Sequence, residues 1–547
     1  MPQITITGDL NESYWLSVKF PYHEKLKDAI KRIPGTRWAG PERLEWLCPA
    51  DTRAVLGQVA AQFSFSVCDA VAPQRPSNRD LDQNYTTAKS LHSYQTDSVN
   101  RALAERRLII NHEMGLGKTP IAIEVMRVAN IKRALVICPA VVRTNWLREF
   151  AKWWPEHPEA IGHRWGKANK SRPKYAADWF DKPIQVVSYG MVGDIQRNAW
   201  DCIVIDECHR LQSPASIQSR AVRAVIQENP DAYVLGLTAT LMPNQPSNAW
   251  NVLDTLWPGR FGLAKPGKIS YAFLNRYVGK EENKWAPSGF VFKGVNEHHA
   301  GELRTRLASL SVRTTKSDVA HLLPAYDVHS LFIEPSSRSE YKKLSLSIRT
   351  GEDMESALQC GSAEKIDSVV EWVGDAVVSS PHVAVMCYFR ESAKLIADRL
   401  KAEGHNVFKL TGEQPAHQRM SLLDEAKKSQ TSVIVCTMKS VGIGIDLTQY
   451  TQALFAELYY VPETIEQALG RFSRLSGTVP SSVTLLVMEG TLDEHIAHVL
   501  EDKLSALNAC VKEGATAERT REALGSGEDF IANILDKINS VNINEYT

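Results

Sequence analysis

The chain has 547 residues, of which 44% are hydrophobic and 23% charged, and its 63 basic and 63 acidic residues give a formal net charge of zero. This composition excludes a disordered or fibrous protein, and the length allows several hydrophobic cores because one core rarely serves more than about 300 residues. The zero net charge excludes a protein that is basic over its whole surface, but it allows a local basic groove.

The first two segments of the chain predict a small domain followed by a linker. Residues 1–70 contain alternating apolar positions, helical stretches around HEKLKDAIKRI and DTRAVLGQVAAQ, and the strand-like FSFSV, which together indicate an α+β domain. Residues 71–90 are rich in Pro, Asn, Asp and Thr and show no periodicity. We expect a linker there.

Two later segments each predict a parallel sheet. Residues 91–257 alternate short β-branched runs, such as RLIIN and DCIVID, with helical stretches, and residues 336–490 repeat the pattern with HVAVMCYF and SVIVCT. Residues 258–335 lose it and predict a connector, and residues 491–547 predict an amphipathic brace helix and a tail. The predicted fold class is α/β, with two tandem lobes of parallel sheet flanked by helices behind a small α+β domain.

A glycine-bearing loop follows the first buried strand of the first lobe. Residues 107–119, RLIINHEMGLGKT, run from a strand into Gly115 and Gly117 and end in Lys118 and Thr119. Such a P-loop turns backbone N–H groups onto phosphate oxygens at a helix N-terminus, while the lysine reaches the β- and γ-phosphates and the threonine hydroxyl binds Mg²⁺. Because His112 stands where the P-loop pattern has its first glycine, a loop of another purpose remains an alternative.

A pair of carboxylates supplies the partner motif. Residues 201–209, DCIVIDECH, form an apolar strand that ends in Asp206 and Glu207, at the edge where α/β sheets bind ligands. Asp206 suits Mg²⁺, and Glu207 suits the polarisation of an attacking water. The alternative, two residues that only cap a helix, is less favoured after a P-loop.

These motifs resemble those of a Swi/Snf-type superfamily-two helicase, and the resemblance covers residues 91 to about 510. HEMGLGKT (112–119), DECH (206–209), LTATLMPN (237–244), MKSVGIGIDL (438–447) and QALGRFSRLSG (467–477) occur in the order of that family. SVRTTKSDVAHLLPAYDVHSLFIEPSSRSEY (311–341) is similar to its connector, in which a strand follows a Leu-Pro pair, a feature that other superfamily-two helicases lack. The resemblance implies two RecA-like lobes, ATP with Mg²⁺ as cofactors, and DNA-dependent ATP hydrolysis.

The resemblance also implies roles for individual residues. Gln95 is similar to an adenine contact. The residues expected to bind the nucleotide are Gln95, Met114, Gly115, Leu116, Gly117, Lys118 and Thr119. The residues expected to contact DNA or to couple it to hydrolysis are Asn145, Trp146, His209, Thr238, Thr240, Gly442, Gly444, Asp446 and Gln467.

Two arginines of the second lobe complete the expected site. Arg471 and Arg474 lie three residues apart, on one helical face, and resemble arginine fingers that stabilise charge on the γ-phosphoryl oxygens from the opposite lobe. The alternative is a pair of surface arginines on an exposed turn. Departures from the family pattern leave Lys118, Asp206 and Glu207 in place, so that we expect hydrolysis to survive. The departing residues are His112, Ala239, Asp446 and Ser473.

The front domain, residues 1–70, contains RIPGTRWAGPERLEWLCP (32–49), which looks like the HARP domain of annealing helicases. Arg37, Trp38 and Trp46 would then recognise DNA, because aromatic and arginine side chains stack on unpaired bases. Packing in a small core is an equally good role for the tryptophans.

Taken together, the sequence predicts an ATP-driven motor on double-stranded DNA that remodels or anneals branched or forked DNA, acting as a monomer. The alternatives are a strand-separating DNA helicase of replication or repair and an ATP-switched clamp that binds DNA without moving along it. The start of the chain lacks the charged and apolar regions of a signal peptide, and no chromatin-reading module or basic import signal appears. We therefore expect a cytoplasmic protein from a bacterium or a phage.

Overall fold

The computed structural model contains two compact units, residues 1–113 with 118–313 and residues 114–117 with 314–547. Among the residues that it describes, no helix is long and apolar enough to cross a membrane. The structure describes residues 2–8, 15–69, 91–155, 161–163, 182–195, 200–239, 241–242, 246–283, 290–316, 318–319, 322, 326–336, 338–348, 351–441, 445–459, 465, 468–469, 471–472 and 481–497.

The front domain is a five-stranded sheet with two helices packed on one face. The strand order is β3-β4-β2-β1-β5, and all pairs are antiparallel except β1 with β5. Alternating side chains such as Ile4 and Ile6 enter the core, as the period of two along a strand requires. Its elements are β1 (Gln3–Gly8), β2 (Trp15–Lys19), α1 (Glu24–Lys31), β3 (Arg37–Trp38), β4 (Trp46–Pro49), α2 (Arg53–Gln62) and β5 (Ser66–Asp69).

The first lobe, residues 91–313, is built on a seven-stranded parallel sheet. Its elements up to the last strand of the alternating series are α3 (Ser93–Glu105), β6 (Arg107–Ile110), α4 (Lys118–Val128), β7 (Ala134–Cys138), α5 (Arg143–Trp153), β8 (Ile161–His163), β9 (Ile184–Ser188), β10 (Cys202–Asp206), α6 (Ile217–Gln227) and β11 (Tyr233–Leu237). Strands β6, β7 and β11 are buried along their whole length because helices cover both faces, which explains their continuous apolar sequences.

The chain then adds helices and a hairpin before it returns to the sheet. These elements are α7 (Pro246–Leu256), α8 (Tyr271–Tyr277), β12 (Val278–Glu282), β13 (Phe290–Val295), α9 (Glu297–Leu310) and β14 (Ser311–Val312). Strand β14 pairs in parallel with β6, which gives the sheet order β14-β6-β11-β10-β7-β9-β8. The predicted connector therefore begins as part of the first lobe, with buried Phe261 and Phe273 in that lobe's core.

The second lobe is a six-stranded parallel sheet in the order β15-β20-β19-β16-β18-β17. Apolar clusters cover both of its faces. Its elements are β15 (Tyr326–Ile333), α10 (Glu340–Ser345), α11 (Gly351–Glu364), α12 (Ile366–Ser379), β16 (His382–Cys387), α13 (Arg390–Ala402), β17 (Val407–Leu410), α14 (Ala416–Lys428), β18 (Ser432–Thr437), α15 (Met438–Val441), β19 (Gln452–Phe455) and β20 (Ser481–Met488).

The boundary expected before residue 336 needs correction, because β15 belongs to the second sheet. It pairs with β20 in register over all eight residues. The resemblance to the connector predicts a strand after Pro324, but the sequence does not show which sheet that strand joins, because its apolar alternation lies next to a stretch without a clear pattern. The predicted fold class, two parallel-sheet α/β lobes preceded by a small α+β domain, is confirmed.

Candidate active site

Three neighbouring strands of the first lobe end at the same edge of the sheet and deliver the predicted motifs. Strand β11 lies between β6 and β10. The P-loop follows β6, Thr238 follows β11, and Asp206 is the last residue of β10. Because the carboxyl ends of parallel strands form the ligand-binding edge of α/β sheets, motifs far apart in sequence meet here.

The P-loop has the backbone that its glycines allow. Gly115 and Gly117 have φ angles of +87° and +73°, a region where a side chain would add strain. Helix α4 begins at Lys118, so the loop leads directly into a helix N-terminus, which favours anions. The Lys118 Nζ donates hydrogen bonds to the carbonyl oxygens of His112 and Glu113, at 2.7 and 3.2 Å.

His112 joins the P-loop to α3. Its ring is buried, lies edge-on to Tyr94, and places Nε2 2.9 Å from the Ser98 hydroxyl. Burial, together with the positive charges of Lys118 and Arg313, lowers the pKa of His112 to about 3. The imidazole is therefore neutral at physiological pH.

Gln95, the expected adenine contact, lies in the first turn of α3 and is buried. Its Oε1 accepts a hydrogen bond of 3.0 Å from the backbone N–H of His92, which satisfies a free donor at the helix N-terminus. The contact with adenine remains a prediction. Of the other expected nucleotide ligands, Leu116 is buried, while Met114 and Thr119 are partly exposed.

Asp206 is a partly buried carboxylate whose side chain is held by Trp146. The Trp146 Nε1 donates a hydrogen bond of 2.8 Å to Asp206 Oδ2. Burial and the neighbouring charge of Glu207 raise the pKa of Asp206 to about 7, and the bond from Trp146 and the charge of Lys118 oppose that rise. The ionised form of Asp206 is thus disfavoured in the protein alone, and a cation beside the carboxylate would stabilise that form.

Glu207 has a strained backbone. Its φ and ψ angles of 53° and 51° lie in the left-handed region, which costs on the order of 1 kcal/mol or more for a residue with a side chain. The Tyr189 hydroxyl lies 2.7 Å from the carbonyl oxygen of Asp206 and 3.2 Å from that of Glu207, and donates to them. These bonds hold the turn that aims the Glu207 carboxylate.

A chain of polar contacts leads from Glu207 to Thr238. The His209 Nδ1 lies 3.3 Å from Glu207 Oε2 and 3.0 Å from the Thr238 hydroxyl. Burial lowers the pKa of His209, although the charge of Glu207 opposes this effect. Thr238 is itself buried, and its backbone N–H donates to the carbonyl of Ile110 at the end of β6. One short chain of contacts therefore spans three strand ends.

The residues predicted to bind Mg²⁺ fit that ion. Asp206 offers a carboxylate and Thr119 a hydroxyl at the start of α4, and hard oxygen ligands of this kind suit Mg²⁺, which usually keeps waters and phosphate oxygens as further ligands. The raised pKa of Asp206 supports the fit, because a nearby cation would stabilise its ionised form.

Trp146 is one of the residues expected to contact DNA or to couple it to hydrolysis. Its side chain is fully buried on α5 and hydrogen-bonds Asp206, which does not fit a direct contact with DNA, while the coupling role stays a prediction. Its neighbour Asn145 is partly exposed. The sequence pattern could not separate the two, because the residue that faces the core depends on how α5 packs against the sheet.

Two family models match the chain. The SNF2-related domain matches residues 42–372, more than half of the chain, and the helicase conserved C-terminal domain matches residues 364–476. The chain belongs to the SNF2-related family. Membership confirms the predicted resemblance and the predicted enzyme class, a helicase-type DNA-dependent ATPase.

Curated relatives of this SNF2-related chain include animal and plant proteins. The chain is 24% identical to the SWI/SNF-related matrix-associated actin-dependent regulator of chromatin subfamily A-like protein 1 of Xenopus tropicalis, over 86% of this chain and 50% of that protein. It is 23% identical to the DNA annealing helicase and endonuclease ZRANB3 of Bos taurus, over 80% of this chain and 41% of that protein. The chain therefore spans about half the length of the curated relatives it matches.

Among solved structures, the SWI2/SNF2 ATPase core of Sulfolobus solfataricus in complex with dsDNA is 20% identical, with a TM-score of 0.38 over 82% of this chain and 97% of that one. The helicase domain of Pyrococcus furiosus Hef is 15% identical, with a TM-score of 0.47 over 73% of this chain and 96% of that one.

In the second lobe, the SNF2-related motifs lie close together. The carbonyl of Arg471 accepts a hydrogen bond of 3.1 Å from the N–H of Leu447, and Asp446 Oδ1 accepts one from the N–H of Thr448. Arg471 is buried, with 3% of its surface exposed. Its role as an arginine finger remains a prediction. The predicted site residues that lie outside the described residues are Thr240, Gly442, Gly444, Gln467 and Arg474.

The two tryptophans of the front domain have different surroundings. Trp38 and Trp46 pair across β3 and β4, with ring centroids 5.2 Å apart. Trp46 packs against the domain core, whereas Trp38 is 45% exposed. The Arg37 guanidinium lies over the Trp15 ring, 4.4 Å from its centroid. Packing thus accounts for Trp46, and Trp38 offers an exposed aromatic face.

Sequence reasoning missed Tyr189 and the bond between Trp146 and Asp206. Tyr189 directly follows strand β9 and is buried beneath the carboxylate turn. The only sequence signal is a hydroxyl directly after a buried strand. Such a hydroxyl needs a hydrogen-bond partner in the interior, but the sequence does not say which one.

Proposed function

We propose that this chain is an ATP-driven motor on double-stranded DNA that remodels or anneals branched or forked DNA. The observation that carries the proposal is the meeting of Lys118, Asp206 and Glu207 at neighbouring strand ends, with a contact chain from Glu207 through His209 to Thr238. A protein that only bound nucleotide would need no second carboxylate to position water.

Each residue of the site has a chemical role in this proposal. Lys118 binds the β- and γ-phosphates, and Thr119 and Asp206 hold Mg²⁺, which neutralises phosphate charge when it is bound. Glu207 orients and polarises the attacking water. Arg471 and Arg474 stabilise the negative charge that spreads over the γ-phosphoryl oxygens.

His209 and Thr238 are proposed to couple nucleotide state to DNA. Thr238 lies in the same motif as Thr240, and its hydroxyl contacts His209, which contacts Glu207. A change at Glu207 during hydrolysis would alter the hydrogen bond available to Thr238. The contact chain is a short physical route for such coupling.

The substrate class rests on the relatives and the front domain. Relatives that match most of this chain include proteins named as DNA annealing helicases. The exposed Trp38 beside Arg37 supports contact with unpaired bases, since such bases stack on aromatic rings. Forked or branched DNA presents unpaired bases next to a duplex. The organisms of the relatives give no support to the expected bacterial or phage source, which stays a prediction, as does the cytoplasmic location.

The experiment compares ATPase rates with duplex, single-stranded, forked and four-way-junction DNA. We expect stimulation by duplex and a larger stimulation by forks. Trp38→Ala should remove the extra stimulation by forks and keep that by duplex. Tyr22→Ala is the matched control, because Tyr22 is also an exposed aromatic residue of the front domain, at 80% exposure. An ATPase that no DNA stimulates would contradict the motor and favour the clamp.

Assays of bubble closure and of fork opening distinguish the annealing motor from the remaining alternative, a strand-separating helicase. A motor that anneals should close a bubble in the presence of ATP, and a strand-separating helicase should open a fork that has no strand available for reannealing. Rapid opening of such a fork would favour the helicase. The Lys118→Ala protein is the control without hydrolysis in both assays.

A further inference from the structure

A buried cluster of charges joins the front domain to the first lobe. Asp51 of the front domain is completely enclosed and receives Arg260 and Arg306 of the first lobe, one on each carboxylate oxygen. The Arg306 Nε lies 2.5 Å from Asp51 Oδ2, and its guanidinium lies over the Phe261 ring, 4.0 Å from the centroid. The two positive charges hold the pKa of Asp51 below its usual range, although burial opposes this.

Backbone contacts around the cluster fix the orientation of the two parts. Arg306 donates to the carbonyl oxygens of Pro34 and Arg260, at 3.2 and 2.9 Å. Gly35 lies so close to the first lobe that a Cβ there would approach the Arg260 carbonyl oxygen to 2.1 Å. A third arginine of the lobe, Arg276, donates to the carbonyl oxygen of Arg32. The contact is thus specific in position, because a guanidinium with five donors satisfies several fixed acceptors at once.

We propose that the front domain is a fixed part of the first lobe rather than a tethered module, with the Asp51 cluster as its lock. Burying three charges is favourable only when their hydrogen bonds are complete, and here they are completed across the contact. The hairpin of residues 37–46, which bears Trp38, is then carried by the first lobe in one orientation. The expected effect of this fixed hairpin on DNA recognition rests on the proposed function. The docking of the front domain on the first lobe does not depend on that function.

The first test cuts the covalent connection. A specific protease site is inserted into residues 71–90 of the full chain, the protein is cleaved, and the products are separated by size-exclusion chromatography at micromolar concentration. We expect the front fragment to co-elute with the rest. Arg306→Ala should weaken the association by roughly 100-fold or more and release the fragment.

Two further variants keep the test decisive. Arg304→Ala changes an exposed arginine two residues away on α9 and should leave the fragment bound. Asp51→Asn removes the charge with little change of shape and should release the fragment, which guards against misfolding of the Arg306 variant. Separation of the cleaved unsubstituted protein would overturn the proposal, as would retention of the fragment by both the Arg306 and the Asp51 variants.

The second test measures ATPase stimulation in the uncleaved variants. Arg306→Ala should lose the extra stimulation by forked DNA while it keeps stimulation by duplex, because the hairpin is no longer held on the lobe. Equal fork preference in Arg306→Ala and Arg304→Ala would count against the lock. Absence of DNA stimulation in every protein, with the fragment still bound in the first test, would instead refute the proposed function alone.

Discussion

Replacement of Trp146 by phenylalanine isolates the hydrogen bond that positions Asp206. The ring stays in the core, but the Nε1–H donor that lies 2.8 Å from Asp206 Oδ2 is lost. A hydrogen bond to a charged group contributes about 1.5 to 3 kcal/mol, and loss of a group that orients a metal ligand usually costs about 10- to 100-fold in metal affinity or activity. We expect a loss within that range in Mg²⁺-dependent ATP hydrolysis.

The assay is steady-state ATPase activity across a range of Mg²⁺ concentrations, with nucleotide and DNA held at saturation. Trp146→Phe should raise the Mg²⁺ concentration for half-maximal activity, lower the maximal rate, or both. Trp153→Phe is the matched control. Trp153 is also buried on α5, and its Nε1–H donates a hydrogen bond of 3.0 Å to the carboxylate of Glu149, which lies outside the site. If the two variants have the same Mg²⁺ dependence and similar melting temperatures, the positioning role is refuted.

Further predictions concern the neighbouring residues. Lys118→Ala should lower ATPase activity at least about 100-fold while fluorescence anisotropy shows duplex DNA still bound; retained turnover would disprove the P-loop assignment. Tyr189→Phe removes the bonds that hold the left-handed Glu207, so its free energy of unfolding in urea should fall by about 1 to 2 kcal/mol, and an unchanged value would contradict that support. The pKa of His112 is about 3 in the folded protein and 6.5 in the unfolded chain, so below pH 6.5 the folded state binds fewer protons than the unfolded state. The free energy of unfolding should therefore fall by about 2 kcal/mol between pH 8 and pH 5. The His112→Gln side chain can still form a hydrogen bond with Ser98 but does not titrate. Between pH 8 and pH 5, the free energy of unfolding of this variant, measured by urea denaturation, should fall by about 2 kcal/mol less than that of the unsubstituted protein. Equal decreases in the two proteins would show that His112 is not the group that titrates.

The nucleotide loop and the carboxylate pair could be predicted because local chemistry determines them. Glycines are needed where Gly115 and Gly117 take positive φ, and a continuous apolar run marks the strand that ends at Asp206. The partner of Asp206 could not be predicted. Trp146 lies in a different βα unit, and only the order of β10 and β7 in the sheet brings α5 beside the carboxylate.

The lock between the front domain and the first lobe was equally hidden. Asp51 follows a strand and precedes a helix, where an acidic residue is ordinarily a solvated cap, and nothing local indicates that it is buried. Arg306 lies on a helix whose sequence looks largely polar. Pairing of such residues depends on which surfaces dock, and that is decided by the whole shape of both domains.

The register of β15 with β20 has a consequence for synthesis of the chain. Strand β15 is the first strand of the second lobe, and among the described strands its only neighbour in the sheet is β20, the last strand. Tyr326 pairs with Ser481, and Ile333 pairs with Met488. Contacts between such distant residues form slowly, because a long loop must be closed before they contribute. During translation the apolar residues of β15 therefore emerge well before their partner strand exists. The first lobe can fold on the ribosome as its residues appear, whereas the second must be completed after residue 488 has left the exit tunnel.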